Sequence, residues 1–226
     1  MKRLTSRQKI LFGVWAMLLA MVGDWLLGYG TFGMTANGIT ANVVTDWRYA
    51  VSAMLGFACM PLFAVAALEL LKVLEQKYGL GASKLYKLFR IANWGGILYF
   101  AFVHIGICML PVVYNAGMDA TGDPSASMEM LLRVAKSIAV PMGLAFVLCD
   151  GFVTVAWIGM VTKGMLPVKK IALLCNPVII ALLGQLMNWI AEGLDSGFES
   201  FGWLLMYLVC AMKLVGKEER ICSGTK

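Results

Sequence analysis

The chain has 226 residues, of which 60% are hydrophobic and only 14% are charged. A soluble globular domain is about 45–50% apolar and about 25% charged, so a water-soluble enzyme of this size is excluded. The net charge of +6 comes from Lys and Arg residues that separate long apolar stretches and form no single basic patch, which argues against a nucleic-acid partner. The composition therefore predicts an integral membrane protein whose main partner is the lipid bilayer.

Six segments are long and apolar enough to cross a bilayer, for which an α-helix needs about 20 apolar residues. The basic N-terminus resembles a signal peptide, but no small-residue cleavage site follows the apolar run, and we expect a retained first helix. We therefore predict an all-α fold, a polytopic bundle of six transmembrane helices that forms one membrane domain over residues 1–226. The predicted spans lie at about 10–30, 49–71, 91–113, 138–162, 171–191 and 201–216.

Lysine and arginine are unevenly distributed between successive loops. If the N-terminus is cytoplasmic, the cytoplasmic parts hold 16 of these residues and the outer parts hold only Arg48, Arg133 and Lys136. Basic residues favour the cytoplasmic ends of transmembrane helices. The sequence therefore predicts that both termini are cytoplasmic, in a cell membrane that we expect to be a bacterial inner membrane.

The outer loop between the third and fourth spans contains a helix signal of its own. Asp123 followed by Pro124 is typical of a helix N-cap and its first turn. We expect residues 124–137 to form a short amphipathic helix at the outer interface, before Pro141 redirects the chain into the fourth span.

Three ionisable side chains lie inside predicted spans and away from the cytoplasmic span ends, where each is costly and is therefore a candidate functional residue. They are Asp24 in the first span, His104 in the third and Asp150 in the fourth. Asp24 shares a helical face with Ala20 and Gly28, and we expect this small-residue face to point into the bundle. A histidine near carboxylates can relay protons. Alternatively, all three are satisfied polar groups that hold helices together.

A polar stripe lies along the outer half of the fifth span. Gln185, Asn188 and Glu192 recur at i, i+3 and i+7 and lie on one helical face. We interpret them as candidate solute-binding residues, together with Asn115 after the third span and Arg48 before the second. Because these groups would be costly against lipid, they should line a cavity or bond to other helices. Glu192 could equally be a solvated helix end at the interface.

No motif predicts a cofactor or a metal site. The six cysteines include no CxxC pair, and signatures for nucleotide, haem, zinc or a serine nucleophile are absent from the sequence.

Small-residue faces would allow oligomerisation. The motifs Cys59-Met60-Pro61 and Cys175-Asn176-Pro177 lie at corresponding places in the two halves and hint at an inverted repeat.

Several short motifs resemble those of a known group of proteins. They are Gly23-Asp24-Trp25-Leu26-Leu27, Pro61-Leu62, Gly164-Met165-Leu166-Pro167 and Asn176-Pro177. On these motifs the chain resembles uncharacterised bacterial six-helix membrane proteins that are grouped as a domain of unknown function. The resemblance covers most of the chain and implies a fold and a membrane location, and it implies no chemistry.

Three functions remain open on the sequence. The first is a small-solute or proton/cation transporter with an outward-facing polar cavity, in which Asp24, His104 and Asp150 carry protons or cations. The second is a structural or accessory membrane protein with no catalytic role. The third is a membrane-embedded lipid-modifying enzyme with His104 as general base, which is the least favoured because the chain has one histidine and no nucleophile motif.

Overall fold

The computed structural model describes residues 4–35, 38–187 and 195–215. Seven α-helices and one β-hairpin account for most of this part of the chain. A π-helical turn, Val147–Gly151, joins α4 to α5, and short 3-10 turns cover Leu80–Ala82 and Lys170–Leu174. The elements are α1 (Ser6–Gly28), β1 (Phe32–Thr35), β2 (Gly38–Ala41), α2 (Trp47–Gln76), α3 (Lys84–Thr121), α4 (Pro124–Phe146), α5 (Phe152–Thr162), α6 (Pro177–Met187) and α7 (Phe198–Lys213).

Four helical stretches of the described chain are long and apolar enough to cross a membrane. They are α1, α2, α3 and the continuous helix Pro124–Thr162, with 23, 30, 38 and 39 residues. At 1.5 Å per residue, the shortest is about 35 Å long, which exceeds the roughly 30 Å of a bilayer core. The predicted helical fold with several membrane-length apolar helices is therefore confirmed, with α6 as an additional short apolar helix.

A two-stranded antiparallel hairpin interrupts the helices, which the all-α prediction missed. It pairs Phe32 with Ala41 and Thr35 with Gly38. The stretch Thr31–Thr45 was recognisable as a polar, nearly uncharged loop, and its Asn37-Gly38 dipeptide is a typical hairpin signal. Strands of only four residues give too short a pattern of alternating apolar and polar residues to be distinguished from a loop.

The separate interfacial helix predicted at 124–137 does not end where expected. Its start is as predicted, with Pro124 in the first turn and the Asp123 carboxylate accepting from the backbone N–H of Ser125 at 2.8 Å. The helix then continues through Pro141 into α5 without a break. Proline removes one backbone hydrogen bond but does not oblige a packed helix to stop. Here α4 is held along α3, and a Cβ on Gly117 would lie only 2.9 Å from the Ser127 Cα.

The predicted fifth span, 171–191, is also interrupted. Its first residues form the 3-10 turn, and α6 begins only at Pro177, with the Asn176 side-chain oxygen capping it by accepting from the N–H of Val178 at 3.0 Å. Pro61, by contrast, lies inside the continuous helix α2. The two Cys-x-Pro motifs therefore have different structural roles, which removes the main support for an inverted repeat.

Helices α1 and α2 form an antiparallel pair that is tied at both ends. Near the start of α1, Lys9 Nζ lies 3.0 Å from the Glu69 carboxylate of α2. At the other end of the pair, the Arg48 guanidinium donates to the Tyr29 carbonyl at 2.7 Å. These contacts hold α1 along α2, which positions the site described below.

An aromatic cluster forms the centre of the core between α2, α3 and α7. Phe63 contacts Phe100, Trp203 and Tyr207 with ring centroids 5.1, 5.8 and 5.8 Å away. Helix α1 approaches this cluster closely, because a Cβ on Gly13 would lie 2.6 Å from the Tyr207 ring. The cluster fills the bundle on the N-terminal side of the polar residues of α1.

Candidate functional site

A cavity of about 380 Å³ lies between α1, α2, α3, α6 and α7. It is at the end of the bundle where α1 finishes and α7 begins, with Phe100 and Trp203 of the aromatic cluster in its wall. Its polar lining residues are Asp24, His104, Gln185, Asp195, Ser196, Glu199 and Ser200. The cavity therefore contains two of the three ionisable residues predicted from the sequence.

Asp24 and His104 are in direct contact in this cavity. The Nδ1 atom of His104 lies 3.2 Å from Oδ1 of Asp24, with 12% of the histidine and 24% of the aspartate side chain exposed. The second carboxylate oxygen of Asp24 accepts a hydrogen bond of 2.6 Å from the Ser200 hydroxyl of α7. Asp24 thus joins α1 to α3 and α7, and it remains open to the cavity.

Two glycines make room for the His104 ring. A Cβ on Gly56 of α2 would lie 2.8 Å from Cγ and 2.9 Å from Nε2 of His104, closer than carbon atoms can approach. On the α1 side, a Cβ on Gly23 would lie 3.3 Å from Nε2. The imidazole is therefore clamped between the backbones of α1 and α2, and its orientation is fixed.

The hydrogen bonds around His104 determine how many protons it carries. The Ser52 hydroxyl donates to the Gly23 carbonyl at 2.7 Å, so it has no hydrogen left for Nε2 of His104, which lies 3.0 Å away. The Ser52 carbonyl, also 3.0 Å from Nε2, can only accept. Nε2 therefore carries a hydrogen, and the contact between Nδ1 and Asp24 contains one further proton that the two side chains share. The Asp24–His104 pair is electrically neutral whichever partner holds that proton.

The order Asp24–His104–Ser52 has the connectivity of a catalytic triad, but the serine is not placed to attack a substrate. Ser52 is fully buried, does not line the cavity and donates its hydroxyl hydrogen to Gly23. Its hydroxyl oxygen also accepts from the Cys108 thiol at 3.4 Å. A nucleophile needs an accessible oxygen whose proton the base can remove. Ser52 therefore supplies no nucleophile for the hypothesis of a lipid-modifying enzyme in which His104 is the general base.

Asp150 lies behind the cavity wall and is connected to it indirectly. It is located in the π-helical turn between α4 and α5, is 2% exposed and accepts from the Trp203 indole N–H at 2.7 Å. Its carboxyl group is also hydrogen-bonded to that of Glu199, which does line the cavity. A π-turn inserts an extra residue into a helix and often marks functional positions. Asp150 therefore belongs to the same polar network as Asp24 without contacting the cavity itself.

Of the predicted polar stripe, only Gln185 lies in the described part of the chain. It lines the cavity at an exposed rim, where its amide donates to the Asp195 carboxylate at 2.7 Å. Asn188 and Glu192 lie outside the described residues, so their predicted role in solute binding stays a prediction.

Asn115 and Arg48, the other predicted solute-binding residues, do not line this cavity. The Asn115 amide donates to the Val44 carbonyl at 2.7 Å and to the Asp46 carboxylate at 2.6 Å, which fastens the chain before α2 to α3. Arg48 binds backbone carbonyls at the end of α1. The side chains of both residues are engaged in holding the fold, which the sequence pattern could not distinguish from solute binding.

Sequence reasoning missed the contribution of the first turn of α7. Glu199 and Ser200 precede the predicted span 201–216, which implies that they lie in a loop, whereas the helix begins at Phe198. A signal was present, because Glu199 and Trp203 are four residues apart and share a helical face. Ser52, the hydrogen-bond partner of His104, carries no comparable signal in a chain rich in small residues.

The cavity lining that the structure describes contains no lysine or arginine. Nor does any group of three or more His, Cys, Asp or Glu side chains in residues 4–35, 38–187 and 195–215 come close enough together to hold a metal ion. The polar chemistry of the described lining is therefore carboxylate, imidazole, hydroxyl and amide.

Over residues 1–217 the chain matches the model of a protein family described as a family of unknown function, DUF6796. The chain belongs to this family, and the predicted resemblance to a domain of unknown function is confirmed. No curated protein and no solved structure matches the chain.

Proposed function

We propose that the protein is a membrane transporter for a small solute and that it accepts protons or cations in its cavity. The observation that supports this function is the internal cavity that combines the Asp24–His104 pair with Glu199. Ionisable groups inside a helix bundle are costly to maintain and typically mark ion or proton pathways. Here they line a space large enough for a ligand, whereas groups that only hold helices together need no such space.

The charges around the cavity favour a cation. The Asp24–His104 pair is neutral, as its hydrogen bonds require. A hydrogen bond between the carboxyl groups of Asp150 and Glu199 needs one proton, so this pair carries at most one negative charge. Asp195 adds a further carboxylate at the rim. With no basic side chain in the described lining, the resulting field attracts cations and repels anions.

The polar groups form a series that runs inward from the rim. Asp195 is at the exposed edge, Asp24 and His104 are partly buried, and Asp150 is buried. Ser200 and Glu199 are neighbours on α7 and link the partly buried pair to the buried Asp150. Ser200 bonds to Asp24, and Glu199 bonds to Asp150. Such a series supplies successive proton acceptors, which a proton-coupled transporter requires.

We also propose that the chain crosses a cell membrane six times, with both termini in the cytoplasm and the cavity facing outward. Support comes from the 16 basic residues in the four parts assigned to the cytoplasm and the three in the outer parts. A short epitope inserted at Gly122, in the turn between α3 and α4, should be accessible from outside intact cells. An epitope at Gly164, after α5, should be accessible only after permeabilisation. The reverse pattern would contradict the proposed orientation.

Proton flux into proteoliposomes tests the transport function. The purified protein is reconstituted with an internal pH-sensitive dye, and a potassium gradient with valinomycin drives protons inward. We expect acidification well above that of protein-free vesicles, and we expect Asp24→Asn to reduce it at least tenfold because the shared proton then has no carboxylate acceptor. Asp119→Asn, which changes an exposed carboxylate outside the cavity, is the matched control and should retain the flux.

The alternative of a structural or accessory membrane protein is favoured by one observation. Both nitrogens of His104 and both carboxylate oxygens of Asp24 already have partners on neighbouring helices. Under this alternative, the intact protein conducts no more protons than empty vesicles and Asp24→Asn lowers only the thermal stability. That outcome would overturn the transport proposal.

A further inference from the structure

The cavity wall combines two kinds of surface. One side is aromatic and aliphatic, with Phe100 and Trp203 in an edge-to-face contact at 5.5 Å between ring centroids and Ile107 nearby in the lining. The other side holds the carboxyl groups of Asp24 and Glu199. A metal ion, a proton or a hydrated inorganic cation would make no use of the apolar side. An organic ligand with a charged end and an apolar body would contact both.

The carboxylate of Asp24 retains the capacity to bind such a charged end. Each of its oxygens has one hydrogen-bond partner, from His104 at 3.2 Å and from Ser200 at 2.6 Å. A carboxylate oxygen can accept two hydrogen bonds, so each keeps one free acceptor position for an N–H donor, and a quaternary ammonium, which has no N–H, is attracted by charge alone. Because 24% of the Asp24 side chain is exposed, it is accessible to a ligand in the cavity.

The aromatic side is suited to the same type of ligand. The faces of tryptophan and phenylalanine attract cations within about 6 Å of the ring centroid, most strongly where water is excluded. Trp203 is held in place by its bond to Asp150 and by contact with Phe63, and at 1% exposure its ring is a fixed part of the wall with little accessible surface. The wall therefore offers both apolar surface and a weak attraction for positive charge.

From these contacts we infer that the cavity binds an amphipathic organic monocation, an alkyl- or aryl-substituted ammonium whose charged nitrogen lies near Asp24 and Glu199 and whose body packs against Phe100 and Trp203. This inference rests on the proposed function and names the substrate class of the same cavity. It excludes anions, because the described lining has no lysine or arginine. The cavity of about 380 Å³ is within the range of small-molecule sites, about 300–1,000 Å³.

Calorimetric titration of the detergent-solubilised full chain with benzyltrimethylammonium tests the inference. This probe carries a permanent charge and an aromatic body, so its binding does not depend on its own protonation. Tetramethylammonium keeps the charge without the body, and benzenesulfonate keeps the body with the opposite charge. We expect benzyltrimethylammonium to bind at least tenfold more tightly than either. Equal affinity for the sulfonate would overturn the assignment of charge, and equal affinity for tetramethylammonium would overturn that of the aromatic wall.

Variants assign the binding to this cavity. We expect Glu199→Gln and Phe100→Leu each to weaken binding of benzyltrimethylammonium roughly tenfold, since the first removes an acidic group that attracts the cation and the second removes an aromatic face. Asp119→Asn should leave the affinity unchanged. Glu199→Gln is a second acidic-site variant beside Asp24→Asn, in case the latter does not fold. Unchanged affinity in both Glu199→Gln and Phe100→Leu would overturn the inference.

The two proposals fail in different ways. If proton flux depends on Asp24 but no benzyltrimethylammonium binds, the transport function stands and the substrate class is wrong. If the probe binds as expected while vesicles with the intact protein conduct no protons above the background, the cavity is a binding site without proton transport. The calorimetry and the flux assay therefore give independent results.

Discussion

The close packing around His104 predicts that a single methyl group at position 56 disrupts the site. In Gly56→Ala the new Cβ would overlap the imidazole ring, with Cγ of His104 at 2.8 Å. Adding a methyl group to a packed interior costs about 1–3 kcal/mol. The ring cannot move away without weakening its bonds to Asp24 and Ser52, and hydrogen bonds to charged groups contribute about 1.5–3 kcal/mol each. We therefore expect Gly56→Ala to lower the free energy of unfolding by about 2–4 kcal/mol.

Thermal unfolding in detergent, followed by tryptophan fluorescence, measures this loss. For a chain of about 150–250 residues, 1 kcal/mol corresponds to about 2–4 °C, so the midpoint should fall by roughly 5–10 °C. Gly143→Ala is the matched control, because Gly143 is helical and nothing lies within 4 Å of the added Cβ. Alanine there should be neutral or stabilise by about 0.5–1 kcal/mol, since glycine is the poorer helix former. Equal midpoints for the two variants would refute the tight contact at His104.

A double-mutant cycle tests whether the cost comes from this ring. In a His104→Ala background the space beside Gly56 is empty, so adding the Gly56→Ala change should cost much less than it does in the intact protein. Residues in contact usually show interaction energies of about 0.5–3 kcal/mol in such a cycle, whereas distant residues are additive. Additive effects of the two substitutions would mean that the methyl group acts elsewhere on α2.

Two further predictions concern the residues that hold the fold and not the cavity. Asn115→Ala leaves the Asp46 carboxylate and a backbone carbonyl without their donor, and it should destabilise the protein by about 1–3 kcal/mol in the same unfolding assay while proton flux per folded protein stays unchanged. Arg48→Ala removes the donor to the Tyr29 carbonyl near an exposed helix end, so we expect a smaller loss of about 0.5–1.5 kcal/mol. If either variant loses proton flux while its thermal stability equals that of the intact protein, that residue takes part in transport.

The membrane class and the long helices could be predicted from the sequence because both depend on composition over many residues. A run of about 20 apolar residues identifies a spanning helix regardless of its partners. Composition over many residues does not locate the end of a helix. The helix that starts at Pro124, for example, continues through Pro141 beside α3. The start of α7 was not predicted for the same reason, because the helix begins at Phe198, before the apolar run. Helix ends depend on packing and capping, which an apolar pattern does not record.

The candidate site could be predicted only in part, for a related reason. Asp24, His104 and Asp150 were recognisable because charge at membrane depth is rare. Their connection was not, since it depends on how α1, α3 and α7 are arranged around one another. For Asn115 and Arg48 solute binding stays a prediction, and nothing in the sequence indicated that their side chains bond to backbone and loop groups. Side-chain type indicates where a polar group needs a partner, and only the tertiary arrangement identifies that partner.

The first turn of α7 connects the two proton-holding pairs and therefore can couple them. Ser200 bonds to Asp24 on α1, and its neighbour Glu199 bonds to Asp150 in the π-turn. The turn is fixed at its start by Gly197, whose φ of +87° suits glycine and whose added Cβ would lie 3.0 Å from the Met21 carbonyl of α1. A shift of this turn, for example when a cation occupies the cavity, would change both contacts together. A conformational change needs a ligand that binds one state better than the other, so under the proposed function the start of α7 is the element through which cation binding would act on the protons.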